Sequence, residues 1–537
     1  KIYCLVSHDL PETDITKVTA KLESDIKTLW SNQKFIISAI FLLAATLIGI
    51  YFFSSNEQVL IQTEEMSIAV IPFVNKGDAK DSFYSYGISN DVNEHIINVG
   101  SFKVESVNNI EKLDLDNLSN KEICKALSVR YLLQGSLWKK GDVFQLSVEL
   151  YDADSDNVVL TDRFEKDWEV LSEIQFITTN KVFTYFNLES NESYYVSNPE
   201  AYEYYLKGRD KYFFRETPED IEMAISMFEK SIESDNEMSS SYILLGWIYY
   251  REKGDFDKAL EYYTKGNTLA KKYNLKSKVG WSTLYLGDIK HMRDDNTDKA
   301  INYWNDALDI FNSINDDWGK FAVYRNLALT YFYDKYNIEK ADFYFQKCLE
   351  IHESVEISDR HLESAYTIAN FYFQKGMLNK SIELFDQCID LSKNKDNAAY
   401  LLSCSMSRGE MSILISEYSE AIRFFSVSDS IFKKLYGGHN QTDEYSAYLN
   451  EIIKLCGNKT SSDIKKINID NKVLDLISDD YEDLYLFYAL TQNEDFLKKA
   501  YIGLNNFIDT LNPKQISGFK SLYYPKMILD QYEIINQ

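Results

Sequence analysis

The chain has few of the residues that break helices or build metal and redox sites. Only six of its 537 residues are proline, and cysteine and histidine also number six each. No C-x-x-C pair occurs and the histidines do not cluster, so no zinc or dithiol site is expected. A Gly-rich phosphate loop, a G-x-S-x-G nucleophile motif and an H-E-x-x-H motif are also missing from the sequence. We therefore expect no catalytic residue, no metal and no cofactor in this chain.

Basic residues are outnumbered by acidic ones. The 57 lysines and arginines stand against 83 aspartates and glutamates, and the formal net charge is −26. A surface of this sign repels phosphates, so we expect no nucleic acid partner for this chain.

Small residues recur along the chain at intervals of 38 to 41 residues: Gly208, Gly246, Gly287, Ala328, Ala369 and Gly409. A second small residue follows each of them twelve to sixteen positions later. Four residues further on there is an aromatic ring, at Phe228, Tyr263, Trp304, Phe345, Phe385 and Phe425. Positions i and i+4 share one face of a helix, where a small residue lets two backbones approach and a ring fills the space between them. A fixed period of this length indicates stacked helical hairpins.

The second of these units resembles the tetratricopeptide repeat. Its residues Leu245-Gly246, Tyr249, Ala259 and Tyr263 stand where that family has Leu-Gly, Tyr, Ala and an aromatic. The period is longer than the usual ~34 residues, which predicts longer helices or turns. The resemblance implies a mainly α fold, an α-solenoid of about six repeats over 199–440, with a helical C-terminal cap over 441–537.

A repeat array of this type binds a protein or peptide on its concave face, at positions between the pattern residues. The polar residues that we expect there are Asp288, Arg325, Asn326, Asn370 and Arg408. The pattern residues themselves are expected in the core, where the cysteines would be mostly free and buried thiols.

A single apolar run, residues 35–53, has nineteen residues without a charge. As a helix it would be roughly 28 Å long, which matches the hydrocarbon thickness of a bilayer. Lys17, Lys21, Lys27 and Lys34 precede it, and the next basic residue after it is Lys76. The positive-inside rule then places residues 1–34 in the cytoplasm and the rest outside. We predict a single-pass protein of the bacterial inner membrane with a periplasmic C-terminal bulk.

Residues 60–190 have a mixed pattern of strands and helices. Apolar or alternating runs at 67–73, 131–138, 144–150 and 158–164 predict strands, and 83–98 has a helical period. This order predicts a small α/β domain. Ala69-Val-Ile-Pro-Phe73 and Tyr131-Leu-Leu-Gln-Gly-Ser136 resemble the TolB-like module of bacterial signalling proteins. That module often lies between a membrane helix and tetratricopeptide repeats, and the resemblance implies no catalytic residue.

The first 34 residues resemble the end of a class III adenylate or guanylate cyclase domain. The matching segments are Lys1-Ile-Tyr-Cys-Leu5, Leu10-Pro11 and Lys21-Leu22. The resemblance implies that residues 1–34 are the remnant and linker of a cytoplasmic domain, that the cyclase domain lies upstream, and that the whole protein is a homodimer.

These features support one leading hypothesis and two others. The leading one is a membrane sensor whose TolB-like and repeat regions bind a protein or peptide and regulate a cytoplasmic output domain, a nucleotide cyclase. The others are a membrane-tethered assembly scaffold and a transmembrane transcription regulator whose DNA-binding domain precedes this sequence. The upstream coding sequence discriminates between a cyclase and a DNA-binding output.

Overall fold

The computed structural model describes residues 66–105, 110, 115–188, 197–353, 359–394, 397–436, 440–460 and 469–536. The segment from Met66 onward forms one compact unit. The predicted membrane segment 35–53 and the predicted remnant 1–34 lie outside the described residues. Among the residues that are described, none of the helices has the length and apolar character needed to cross a bilayer.

A six-stranded mixed sheet lies at the start of this unit. Its strands are β1 Ser67–Val70, β2 Val74–Asn75, β3 Lys103–Val104, β4 Tyr131–Lys140, β5 Val143–Asp152 and β6 Asn157–Asp167. The spatial order is β3-β1-β4-β5-β6, and β2 also pairs with β4. The pairs β1–β3, β1–β4 and β2–β4 are parallel, whereas the pairs β4–β5 and β5–β6 are antiparallel. Gly141 permits the tight β4–β5 turn because its φ is +62°.

Three helices cover this sheet: α1 Ser82–Val99, α2 Asn120–Ala126 and α3 Ile174–Tyr185. Helices α1 and α3 share a core with Phe144, Leu146 and Val148, which alternate along β5. Helix α2 packs on the opposite face, where Ile123 and Cys124 join a second core. The strands and helices predicted for this region are therefore present, and they form a small α/β domain.

Six helical hairpins follow. Their helices are α4 Pro199–Phe213, α5 Pro218–Ser234, α6 Ser239–Arg251, α7 Phe256–Lys272, α8 Lys276–Met292, α9 Thr297–Ser313, α10 Asp317–Leu329, α11 Ile338–Glu353, α12 Asp359–Gln374, α13 Leu378–Asn394, α14 Ala398–Leu414 and α15 Tyr418–Tyr436. A π-helical turn, Thr330–Asp334, extends α10. Several second helices begin at an Asp or Asn whose side chain accepts a backbone N–H: Asp255 from Lys258 (3.1 Å) and Asn296 from Lys299 (3.1 Å) are two of them.

The recurring glycines are needed because an aromatic ring lies against each of them, at Gly208, Gly246, Gly287 and Gly409. A Cβ added at Gly246 would lie 2.8 Å from the ring of Tyr263, and the same distance separates Gly409 from Phe425. The rings of Tyr263 and Phe425 are fully buried. The interpretation of the repeated pattern as core packing is confirmed.

The C-terminal segment adds α16 Asn440–Thr460, α17 Asn471–Leu476, α18 Tyr481–Thr491, α19 Glu494–Ile508, α20 Pro513–Lys520 and α21 Tyr523–Ile535. Helix α18 contacts α14, and α21 contacts α12. The rings of Phe373 and Tyr524 meet at 5.7 Å in the second of these contacts. These helices therefore fold back onto the first helices of the last two hairpins.

The cysteines differ in part from expectation. Cys124, Cys348 and Cys456 are free and buried, as predicted. Cys388 and Cys404 form a disulfide, so for this pair the expectation of free thiols is wrong. Cys388 belongs to α13 and Cys404 to α14, and both face the same core between two hairpins.

Candidate protein-binding surface

The first helix of each hairpin, from α4 to α14, forms one side of the array, which we call the inner face. Neighbouring first helices, such as α12 and α14, contact each other more closely than neighbouring second helices do. The inner face therefore lies on the inside of the curve. The charges of Arg251 on α6 and Arg325 on α10 both act on the Tyr400 hydroxyl of α14, where they oppose the rise in its pKa that burial causes.

Helix α1 of the α/β domain lies against the start of the inner face. The Asp91 carboxylate accepts hydrogen bonds from Arg209 Nη1 (2.8 Å) and from the hydroxyl groups of Tyr202 (2.6 Å) and Tyr205 (3.3 Å). All four side chains are buried. A Cβ at Gly87 would clash with Leu206 Cδ2, so glycine permits the close approach of α1 to α4. The ion pair between Asp91 and Arg209 stabilises this contact only while both side chains are present, because removing one leaves the other as a buried charge without a counter-charge.

A second contact joins α1 to α8. Glu94 forms an ion pair with Lys278, and the Oδ1 atom of Asn98 accepts the backbone N–H of Ser277 (2.8 Å). Burial opposes ionisation of Glu94, but the charges of Lys278 and Arg209 outweigh it and lower the pKa of Glu94. Helix α1 therefore bridges the first and third hairpins.

The middle of the inner face holds three of the predicted site residues in one cluster. The Asp288 Oδ1 atom accepts from Trp304 Nε1 (2.8 Å) and from Asn326 Nδ2 (2.7 Å). Arg325 donates to Asn326 Oδ1 (3.3 Å) and also forms an ion pair with Glu363. Burial raises the pKa of Asp288 to about 6, against the opposing effects of Trp304 and Arg325.

The other two predicted residues lie elsewhere. The amide of Asn370 donates to the backbone carbonyl of Tyr366 (3.0 Å), one turn earlier in its own helix. Arg408 is buried; it donates to Asp386 (3.2 Å) on α13 and lies 5.1 Å from the ring of Phe424 on α15. The structure thus directs Arg408 toward the second helices, away from the inner face.

Carboxylates that were not among the predicted residues lie at the C-terminal end of the inner face. Glu410 of α14 lies beside Glu482 and Asp483 at the start of α18, and all three are partly buried. Burial raises the pKa of all three carboxyl groups, and the neighbouring negative charges raise it further. The pKa of Glu410 is about 8, that of Glu482 about 7 and that of Asp483 about 6. The Tyr448 hydroxyl donates to Asp483 Oδ1 (2.5 Å).

A sequence signal for the inner face exists at one position of the repeat. The residue directly after the first small residue is Arg209, Asp288, Asn370 or Glu410 in four of the hairpins. Arg209 contacts α1 through Asp91, Asp288 accepts a hydrogen bond from Trp304, and Glu410 belongs to the carboxylate cluster. Comparing this position across all hairpins would have found Arg209 and Glu410 as well.

The chemistry of the inner face is that of a binding surface. It offers carboxylates, guanidinium groups, amides and tyrosine hydroxyls. Among the described residues, no group of three or more His, Cys, Asp or Glu side chains is arranged to hold a metal ion.

Comparisons with known proteins identify two parts of the chain. Residues 239–273 and 362–395 match the tetratricopeptide repeat, and residues 64–179 match the second domain of HilA/YgeH-like transcriptional regulators. The TolB-like resemblance concerns the same stretch as the second match and stays a prediction.

A curated protein, the putative adenylate cyclase 3 of Rhizobium meliloti (strain 1021), is 23% identical over 190 residues. The match covers 34% of this chain and 32% of the relative, so the chain spans about a third of the length of the curated relative it matches.

Two solved structures are similar to the chain. One is a Signal Transduction ATPase with Numerous Domains protein with a tetratricopeptide repeat sensor, from Pyrococcus horikoshii (14% identity, TM-score 0.38, 63% of this chain and 53% of that chain). The other is Rap protein complexed with Competence and Sporulation Factor (12% identity, TM-score 0.38, 68% of this chain and 93% of that chain). The chain is a mainly helical protein with tetratricopeptide repeats, which are protein-interaction modules, and a small sheet domain before them.

Proposed function

We propose that this chain is the partner-binding and regulatory part of a bacterial signalling protein. The inner face of the repeats binds a protein or peptide, and the α/β domain carries the effect of binding toward an output domain outside this sequence. The observation that carries the proposal is the attachment of α1 to the inner face through Asp91–Arg209 and Glu94–Lys278.

Helix α8 provides the physical route for this coupling. Its first turn holds α1 through Ser277 and Lys278, and its last turns carry Asp288 in the middle of the inner face. Ten residues of helix separate Lys278 from Asp288, a length of about 15 Å. A partner that displaces α8 at Asp288 therefore also acts on α1. For regulation, the partner must have different affinities for two arrangements of these elements.

The proposed output is a nucleotide cyclase that precedes the membrane segment. Support comes from the resemblance of residues 1–34 to the end of a cyclase domain and from the name of the curated relative. The apolar run 35–53 supports a single membrane span, with the repeats outside the cytoplasm. The chain itself is proposed to have no catalytic activity, and cyclic nucleotide production by residues 1–537 alone would contradict this.

The experiment is a deletion of residues 199–537 from the native protein in its own bacterium, with cyclic AMP and cyclic GMP as the measured output. The companion variant is Asp91→Asn, which weakens the attachment of α1 but keeps the repeats. We expect both changes to alter the output. Unchanged output under all growth conditions would refute regulation and favour the assembly scaffold. Reporter fusions after residue 537 that are active only in the cytosol would refute the membrane orientation.

A second candidate function is transcription regulation by a DNA-binding domain that precedes this sequence. The observation that favours it is the match of residues 64–179 to the second domain of HilA/YgeH-like transcriptional regulators. The net charge of −26 argues against DNA binding by the chain itself. A winged-helix domain encoded upstream would decide for this function, and cyclase motifs there would decide for the first.

A further inference from the structure

We infer that β6, Asn157–Asp167, is an interface at which two copies of this chain pair, with the two β6 strands antiparallel and a two-fold axis passing at Phe164. The sheets of the two copies then form one continuous sheet. The inference goes beyond the proposed function, which concerns the repeats and helix α1. It is carried by the open edge of β6 and by the order of the charges along that edge.

The outer edge of β6 has no strand beside it in the described part of the chain, where β6 pairs with β5 alone. Directly after β6, the Trp168 N–H donates to the Asp142 carbonyl (2.8 Å) of the β4–β5 side. Because bonded and non-bonded pairs alternate in an antiparallel ladder, the backbone groups that point away from β5 belong to residues 161, 163, 165 and 167. The Arg163 N–H accordingly donates to the Asp162 side chain (2.9 Å), which takes the place of a neighbouring strand.

Pairing of two copies at this edge brings opposite charges together. With the axis at Phe164, Arg163 lies opposite Glu165 of the second copy, and Asp162 lies opposite Lys166 of the second copy. Each of these ion pairs is made twice because of the two-fold symmetry. The two Phe164 rings lie opposite each other at the axis, where the Cβ atoms of facing residues are about 5 Å apart. The outward backbone groups add about eight hydrogen bonds.

The same charges disfavour the neighbouring registers. Outward backbone groups occur at every second residue, so the axis must pass through a residue and not between two. Moving the axis from Phe164 to Asp162, Arg163, Glu165 or Lys166 places that charged residue opposite its own copy, where like charges repel. Charges on an edge strand protect it from pairing with other strands. On β6 they also select one register with a second copy of the chain.

The groups needed for these pairs are accessible. Arg163 and Glu165 are exposed, and within the described residues neither Arg163 nor Lys166 forms an ion pair. Lys181 of helix α3 contacts Asp162 (2.8 Å) from the face of the sheet. Pairing transfers the Arg163 N–H to a backbone carbonyl of the second copy, and the Asp162 oxygen that it leaves becomes available for Lys166.

The test is a disulfide cross-link that depends on the register. Residue 161 lies opposite residue 167 of the second copy, and the Cα atoms of such a pair are about 5.5 Å apart, within the range of a disulfide. Two copies of residue 161, or two of residue 167, lie about 20 Å apart. The exposed residues are therefore changed in separate chains, Thr161→Cys and Asp167→Cys.

The two full 537-residue chains are produced together or separately, purified in detergent because of the apolar run 35–53, and oxidised mildly. Covalent dimers are measured on non-reducing gels, and the wild type gives the background from the native cysteines. We expect about tenfold more covalent dimer from the two chains together than from either chain alone.

Charge reversals in both cysteine chains test the pairing itself. Arg163→Glu places two glutamates opposite each other and should lower the yield of cross-linked dimer about tenfold. Adding Glu165→Arg to the same chains restores opposite charges and should restore the yield. The matched control is Lys125→Glu, which reverses an exposed charge on α2 and should leave the yield unchanged. Circular dichroism checks that the variants remain folded.

Three results would overturn the inference. These are equal cross-linking of the mixed and the single chains, equal losses from Arg163→Glu and Lys125→Glu, and no recovery when Glu165→Arg is added. Cross-linking of residue 167 to a different protein in the bacterium, without the covalent dimer, would also overturn it, because the edge would then belong to another partner. The proposed function is judged separately, by cyclic nucleotide output after deletion of residues 199–537, which leaves β6 in place.

Discussion

Glu410 allows a prediction of unusual sign, namely that removing a charged side chain stabilises the protein. The pKa of Glu410 is raised from 4.5 to about 8, chiefly by burial and then by Asp483, Glu482 and Asp480. The folded chain therefore binds a proton at this site between pH 4.5 and about 8, where the unfolded chain has lost it. The stability of the wild type should fall as pH rises through this window and level off above it.

The magnitude follows from the shift. A shift from 4.5 to about 8 corresponds to about 5 kcal/mol at ~1.36 kcal/mol per pH unit, which is an upper bound. The carboxyl group is only partly buried, and Glu482 and Asp483 share the same repulsion, so each proton bound relieves the others. We expect Glu410→Gln to raise the free energy of unfolding by about 1–3 kcal/mol at pH 9.

The assay is denaturant unfolding of the full chain at pH 5, 7 and 9, followed by circular dichroism. The glutamine side chain keeps the shape of glutamate, so Glu410→Gln and the wild type should agree within about 1 kcal/mol at pH 5. The exposed control Glu233→Gln should show no pH-dependent difference. A loss of stability in Glu410→Gln at pH 9, or an effect of equal size at pH 5 and pH 9, would refute the reasoning, because it would mean that a cation or water already compensates the charge.

Three further predictions concern the packing of the fold. Asp91→Ala should lower the free energy of unfolding by about 3–5 kcal/mol in denaturant titrations, because it leaves Arg209 buried without its counter-charge; a change below 1 kcal/mol would show that the attachment of α1 is weak. Gly246→Val should cost about 1–3 kcal/mol, because its Cβ would lie 2.8 Å from the Tyr263 ring, whereas Gly457→Ala, where no atom of the described residues lies within 4 Å, should gain about 0.5–1 kcal/mol in the same titrations; equal effects would contradict the close-packing argument. Mass spectrometry after alkylation without reductant should leave Cys388 and Cys404 unlabelled, and Cys388→Ser should cost about 2–4 kcal/mol of stability; labelling of both thiols in unfolded, unreduced protein would exclude the disulfide.

The repeated fold was predictable because each hairpin uses the same local contact. A small residue such as Gly246 or Gly409 must face the ring of its own hairpin, and this requirement leaves a fixed spacing in the sequence. The buried helix over Leu484–Leu490 was predictable for a similar reason, since a run that is apolar on every side has no exposed face. Fold class and element order therefore follow from the sequence.

The binding surface was only partly predictable. Asp288, Arg325 and Asn326 were expected on it, and the structure brings them together. Arg408 was expected there too, but a helix alone does not indicate that its side chain packs against Asp386 and the ring of Phe424. The direction in which a side chain such as Arg408 points depends on which neighbouring helix is nearest to it. The packing of the hairpins against one another decides this, and the sequence of a single helix does not show it.

The sequence by itself determined that this chain is a series of helical hairpins preceded by a small α/β domain, because helical periodicity and close packing act over a few dozen residues. Only the tertiary structure decided that α1 occupies the start of the inner face, and that Glu410 lies beside Glu482 and Asp483, which are more than seventy residues further along the chain. These pairs are brought together by the curvature of the stack and by the return of the C-terminal helices. Contacts of this kind leave no fixed spacing in the sequence, since their separation depends on every hairpin that lies between the partners.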